Sequence, residues 1–182
     1  YKVVMKQLSS QKIQELMTLH QQGNIKSAGE MAKKLLKDYP NELLLHNILG
    51  IYQEAQGDLN EAANSYQNAI RINPNIPELQ FNLGAMLFAT NDFEGALNHY
   101  EKAIKLNPNF TEVYFNLGVT YQSQSEYDLA INSYQKAIKL QPGFYEAIGN
   151  IGTIKQLQEK LDEAINYFKK ALEVFEDARG NY

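Results

Sequence analysis

Cysteine is absent from this 182-residue chain, which excludes disulfides, a thiol nucleophile and thiolate metal ligands without fixing a compartment. Histidine is scarce. His20, His46 and His99 are widely separated, and none lies four residues from another, as a helical zinc pair requires. Arginine occurs only at Arg71 and Arg179, and a formal net charge of −4 opposes a nucleic-acid partner, which is held through basic stripes. No apolar run approaches the roughly 18 residues of a membrane-spanning helix, so no membrane partner is expected. A glycine-rich phosphate loop, a Gly-x-Ser-x-Gly elbow and a catalytic carboxylate pair are all missing. The expectation is therefore a protein that is not an enzyme and carries no metal or cofactor. With 44% hydrophobic and 21% charged residues, the composition is that of a folded chain.

What is present is a repeat. Leu49-Gly50, Leu83-Gly84, Leu117-Gly118 and Ile151-Gly152 follow one another at a step of 34 residues (84 − 50, 118 − 84, 152 − 118). Alanines keep that step at Ala28, Ala62, Ala96, Ala130 and Ala164, and again at Ala69, Ala103, Ala137 and Ala171, with Leu35 in the first slot. Tyr66, Tyr100, Tyr134 and Phe168 form an aromatic series, and Pro40, Pro74, Pro108 and Pro142 punctuate it.

Each series has a mechanical reason. In Thr111–Phe144, apolar residues recur at helical spacing, first at Tyr114, Leu117 and Tyr121 and then at Leu129, Ala130, Tyr134, Ala137 and Ile138. The polar stretch Ser123–Asp128 suits a turn between two helices. Gly23 and Gly57 offer positive φ at the matching turn of their own units. Proline ends the second helix by removing a donor and restricting the residue before it. A glycine inside a helix costs about 1 kcal/mol relative to alanine, so its recurrence implies close contact between paired helices. The alanines do the same from the second helix, and the aromatics are expected to fill the wider space between adjacent units.

The spacing Tyr114, Leu117-Gly118, Tyr121, Tyr127, Ala130, Tyr134, Ala137 and Pro142 resembles the tetratricopeptide repeat, abbreviated TPR. That resemblance implies an all-α fold, a right-handed α-solenoid of antiparallel helix hairpins. Five units are expected, at 9–42, 43–76, 77–110, 111–144 and 145–178. The first is degenerate, with Glu15-Leu16 in the Leu-Gly place and Ala32 in the aromatic slot; the fifth has Glu176 where proline would fall. Residues 1–8 read as an N-terminal extension or expression remnant. Residues 179–182 read as the opening of a sixth unit, with Tyr182 falling 68 residues after Tyr114 (182 − 114), so a fragment of a longer protein is expected.

In this family the first helix of every hairpin lines a concave groove. Two ladders stand on those helices at the repeat step: Asn82, Asn116 and Asn150, and Glu78, Glu112 and Glu146. Each Glu precedes its Asn by four residues (82 − 78), so the pair shares one helix face. Phe81 and Phe115 lie beside them, with Gly149 in the third place. Ile48 takes the asparagine slot one unit earlier, with Asn47 adjacent, and Gln14 takes it in the first unit.

A primary amide can pair with both C=O and N–H of an extended peptide and so hold it by its main chain. This resembles the asparagine ladder in the TPR arm of the O-linked N-acetylglucosamine transferase, and implies capture of a peptide or partner protein in the groove. The other reading of these amides is a bond to a neighbouring helix. The glutamates suit the positive end of the helix dipole and, as a row, bias the groove toward basic or neutral peptides. The clamp that grips chaperone C-termini in this family is missing, because Ile13, Met17, Ile48, Glu78 and Asn82 hold its places. Lys102, Lys105, Lys136, Lys139, Lys169 and Lys170 read as a solvated outer face. The alternative function is a self-assembling scaffold, a homo-oligomer stacked through the ends of the array.

Overall fold

The structure is a computed structural model and describes residues 8–180. The described residues form ten α-helices and no strand. The first five are α1 (Ser10–Gln21), α2 (Ile25–Leu35), α3 (Leu43–Gln56), α4 (Leu59–Ile72) and α5 (Pro77–Ala89). The others are α6 (Phe93–Leu106), α7 (Thr111–Ser123), α8 (Tyr127–Leu140), α9 (Tyr145–Leu157) and α10 (Leu161–Gly180). The expected extension lies outside the described residues except for Leu8, which is buried. Of the expected sixth opening, Arg179 and Gly180 continue α10 and the rest lies outside.

The chain divides into two compact units, Tyr1–Lys102 and Ala103–Tyr182. Within the first, α1 packs on α2, α2 on α3, α3 on α4 and α4 on α5. One core there joins Leu16, Ala28, Ala32, Leu35, Leu45 and Ile48; another joins Ala62, Tyr66, Ala69 and Ile70 to Leu79, Leu83 and Met86. Within the second, α7 packs on α8, α8 on α9 and α9 on α10, around Ala130, Tyr134, Ala137, Ala147, Ile151 and Ile154. Every fully buried aliphatic side chain of this kind contributes about 1.5–3 kcal/mol. Lys155 Nζ and Glu163 Oε2, 2.7 Å apart, add a tie between α9 and α10.

The turns inside the hairpins repeat one geometry. Gly23, Gly57, Asn91, Ser125 and Glu159 have φ of 72°, 82°, 65°, 63° and 60°. The next N–H in each turn donates to the carbonyl five residues back: Asn24 to Leu19, Asp58 to Gln53, Asp92 to Leu87, Glu126 to Tyr121 and Lys160 to Lys155, at 2.8–2.9 Å. This is the left-handed helix ending that glycine suits best, yet only two of the five residues are glycine. Second helices then start on side-chain caps at Asn24, which accepts from Ser27 N, and Asp92, which accepts from Gly95 N. Beyond α4 and α6, Asn73 and Asn107 fold over the prolines by accepting from the N–H of Asn75 and Asn109, at 3.0 and 3.1 Å.

The aromatic series lies elsewhere than the sequence suggested. Tyr66, Tyr100, Tyr134 and Phe168 do not simply fill space between units; each ring lies on the mid-helix glycine of its own hairpin. A Cβ on Gly50, Gly84, Gly118 or Gly152 would fall 2.7, 2.7, 2.5 or 2.8 Å from a ring carbon. The glycine thus makes room for a ring, and the ring fills the gap that the absent side chain leaves.

Candidate functional site

The first turns of α5, α7 and α9 carry Glu78, Glu112 and Glu146, all exposed. One turn on, Asn82, Asn116 and Asn150 are half-buried. A carboxylate in the first turn answers the helix dipole while remaining in water.

Asn150 is held most firmly. Its Nδ2 donates to the Tyr134 hydroxyl at 3.1 Å, and that hydroxyl donates to Gln122 Oε1 at 2.7 Å. Tyr134 is completely buried, and burial pushes its phenol up to about 12, so the hydroxyl stays protonated and able to donate. One donor of the Asn150 amide is therefore spent on the fold, leaving its second N–H and its carbonyl for a ligand. The amides of Asn82 and Asn116 make no hydrogen bond among the described residues. Tyr66, two repeats before Tyr134 (134 − 68), donates instead to Glu54 Oε2 at 2.9 Å. Burial first, and then the charge and hydrogen bond of Glu54, hold that phenol far above its ordinary range.

Phe81 and Phe115 are packing rings as well as groove neighbours. Phe81 lies 6.1 Å from the Tyr100 ring; Phe115 lies 5.7 Å from Tyr134 and 4.8 Å from Phe144. Asn47 occupies the slot of Phe81 one repeat earlier (81 − 34); its Oδ1 is shielded from solvent and has no hydrogen-bond partner. Ile48, in the asparagine slot, is 2% exposed and belongs to the core.

With Gly149 in the phenylalanine slot, space remains open between α9 and α10. A cleft of about 510 Å³ there is lined by Tyr145, Glu146, Gly149, Asn150, Ala171, Leu172 and Phe175. Phe175 meets Tyr145 edge-on at 5.0 Å. Hydrogen bonding to Glu146, helped by its charge, pushes the Tyr145 phenol up. Two sequence-predicted residues, Glu146 and Asn150, thus share one wall. Clefts of about 730 Å³ beside Tyr114, Lys136 and Lys139, and 520 Å³ beside His46 and Arg71, hold none of the predicted residues.

The sequence reading missed one recurring contact. His46 Nε2, Gln80 Nε2 and the Tyr114 hydroxyl stand at the repeat step and donate to the carbonyl of the proline six residues back. Pro40, Pro74 and Pro108 accept at 2.8, 3.0 and 3.1 Å. Because a carbonyl only accepts, His46 carries its proton on Nε2. Gln80 also accepts from His99 Nδ1 at 2.7 Å, so two of the three histidines serve the fold. The signal was a donor at constant distance from each proline, hidden because three residue types supply it. No group of three or more His, Cys, Asp or Glu suited to a metal occurs among the described residues.

A family model for the TPR repeat matches residues 55–90 and 84–125, and two for the tetratricopeptide repeat match 111–144 and 145–177. No curated protein matches. A crystal structure of MamA is similar to this chain at 30% identity and a TM-score of 0.84, over 97% of this chain and 100% of its own. A second, of MamA protein, is 31% identical with a TM-score of 0.81, over 94% and 93%. The crystal structure of YrrB, described as a TPR protein with an unusual peptide-binding site, is 21% identical over 90% of this chain and 84% of its own. Its TM-score of 0.77 is a likeness of fold. The fold class is the expected all-α solenoid of helix hairpins, and the class of function is a protein-interaction scaffold. With a relative 30% identical over 97% of its length and repeat models matched from residue 55 to 177, the chain belongs to the tetratricopeptide repeat family.

Proposed function

We propose that the chain holds an extended peptide segment of a partner protein on the asparagine-bearing faces of its first helices. In the first unit Asn82, Glu78, Phe81 and Asn47 form the contact surface; in the second, Asn116, Asn150, Glu112, Glu146 and Phe115 do. Each asparagine amide offers a donor and an acceptor to a peptide main chain, and this asks little of the peptide's sequence. The carboxylates favour basic or neutral segments and repel acidic ones. The carrying observation is the cleft between α9 and α10, where Asn150 is set in place by Tyr134 beside exposed Glu146 and the Tyr145 and Phe175 rings. The shielded, unpartnered Oδ1 of Asn47 supports the same reading, because a peptide N–H would relieve it. YrrB, described as having a peptide-binding site, shows that the fold carries one elsewhere.

The test is affinity capture from the source extract with the native chain and with Asn82→Ala/Asn116→Ala, followed by titration of the captured partner's segments. Partners lost in the variant, with an unchanged melting curve, support the reading. Partners retained by both proteins place the working surface on another face and refute it.

A further inference from the structure

The surface that receives a helix in each unit recurs, uncovered, on α10. In the first unit Ala62, Tyr66, Ala69 and Ile70 of α4 receive Leu79, Leu83 and Met86 of α5. In the second, Ala130, Tyr134 and Ala137 of α8 receive Ala147, Ile151 and Ile154 of α9. The incoming helix offers apolar residues at i, i+4 and i+7 each time. One repeat on, the receiving residues are Ala164, Phe168, Ala171 and Leu172 of α10. Phe168 is 39% exposed, whereas its counterparts Tyr66 and Tyr134 are 0% exposed. Leu161, Ile165 and Leu172 on the same stripe are 59%, 49% and 56% exposed. A row of large apolar side chains this open marks an interaction site.

The α1 helix of a second copy does not fit this surface. Its residues at the three incoming positions, 136 before Ala147, Ile151 and Ile154, are Gln11, Glu15 and Thr18, all polar and exposed. Seating them on Phe168 would bury a carboxylate without a partner. We propose that the α10 stripe docks an amphipathic helix from a different segment or protein, one that carries small or aliphatic residues at i, i+4 and i+7. The argument is continuity: the same receiving set takes the same triad on α4 and on α8. This surface is separate from the proposed peptide site, since Leu161 and Ile165 lie outside the Asn150 cleft.

The test titrates a synthetic peptide of residues 144–157, which carries the α9 triad, into isotope-labelled protein and follows backbone amide shifts. Saturable shifts along 161–172 are expected. A peptide with Ile151→Glu, and the protein variant Ile165→Glu, should each weaken binding at least tenfold. Because Ile165 is exposed, that variant keeps its fold, as an unchanged circular dichroism spectrum would confirm. Three results overturn the proposal: no saturable shifts, shifts confined to other helices, or a concentration-dependent dimer that Ile165→Glu abolishes while the peptide fails to bind. The last would make a second copy the occupant. Loss of peptide-partner capture in the asparagine variant leaves this outcome untouched, so the two readings fail independently.

Discussion

Replacing Gly118 with alanine should destabilise the second unit, whereas the same change at Gly149, 31 residues further along, should stabilise it. Both glycines lie inside helices, where alanine gains about 1 kcal/mol in propensity. The surroundings reverse the sign at one of them. A Cβ at Gly118 would fall 2.5, 2.6 and 2.9 Å from three carbons of the Tyr134 ring. Ordinary contact between carbons lies near 3.5–4.0 Å, so the ring must retreat by roughly 1 Å. It has little freedom to do so, being completely buried with its hydroxyl held by Gln122 and Asn150. Overpacking of this kind costs about 1–3 kcal/mol, which exceeds the propensity gain and leaves a net loss of about 1–2. At Gly149 the nearest atom is Ala171 Cβ at 4.0 Å, so the gain is kept. Urea unfolding followed by circular dichroism should separate the two variants by about 2–3 kcal/mol. In a Tyr134→Ala background the Gly118→Ala loss should disappear, as a double-mutant cycle would show. A Gly118→Ala protein as stable as the native chain, or a Gly149→Ala protein that weakens equally, would refute the ring-on-glycine account.

Glu159→Gly should raise stability by about 1 kcal/mol, because a side chain in the left-handed region is strained there; thermal unfolding of the two proteins would show it. His99 should make the fold weaken in mild acid. Burial, then Lys102, lowers its pKa below the ordinary 6.5, so the unfolded chain binds the proton first and stability declines as pH falls below that value. Chemical denaturation at several pH values should show a flatter profile in that window for His99→Gln. Gln80→Leu should cost about 2 kcal/mol, since the Pro74 carbonyl and the His99 ring both lose their partner, and a lowered urea midpoint would report it. Asn150→Ala should cost about 1 kcal/mol through its lost bond to Tyr134, whereas Asn82→Ala with Asn116→Ala leaves the melting curve nearly unchanged.

The sequence by itself determined the repeat, the helical hairpins and the family. Helix periodicity, proline stops and small residues act locally, so a 34-residue step shows in the residue letters alone. It also placed Glu146 and Asn150 on one helix face, and the structure sets them in the wall of one cleft. Only the tertiary structure decided which groups meet. Asn91, Ser125 and Glu159 adopt a conformation their residue types disfavour, because two packed helices impose the turn between them. His46, Gln80 and Tyr114 share no chemistry that a pattern search would align, yet each brings a donor to a proline carbonyl, and a hydrogen bond is selected by distance and direction. The exposure of Phe168 against the burial of Tyr66 and Tyr134 is likewise set by which helix covers each ring, which the equivalent letters do not encode.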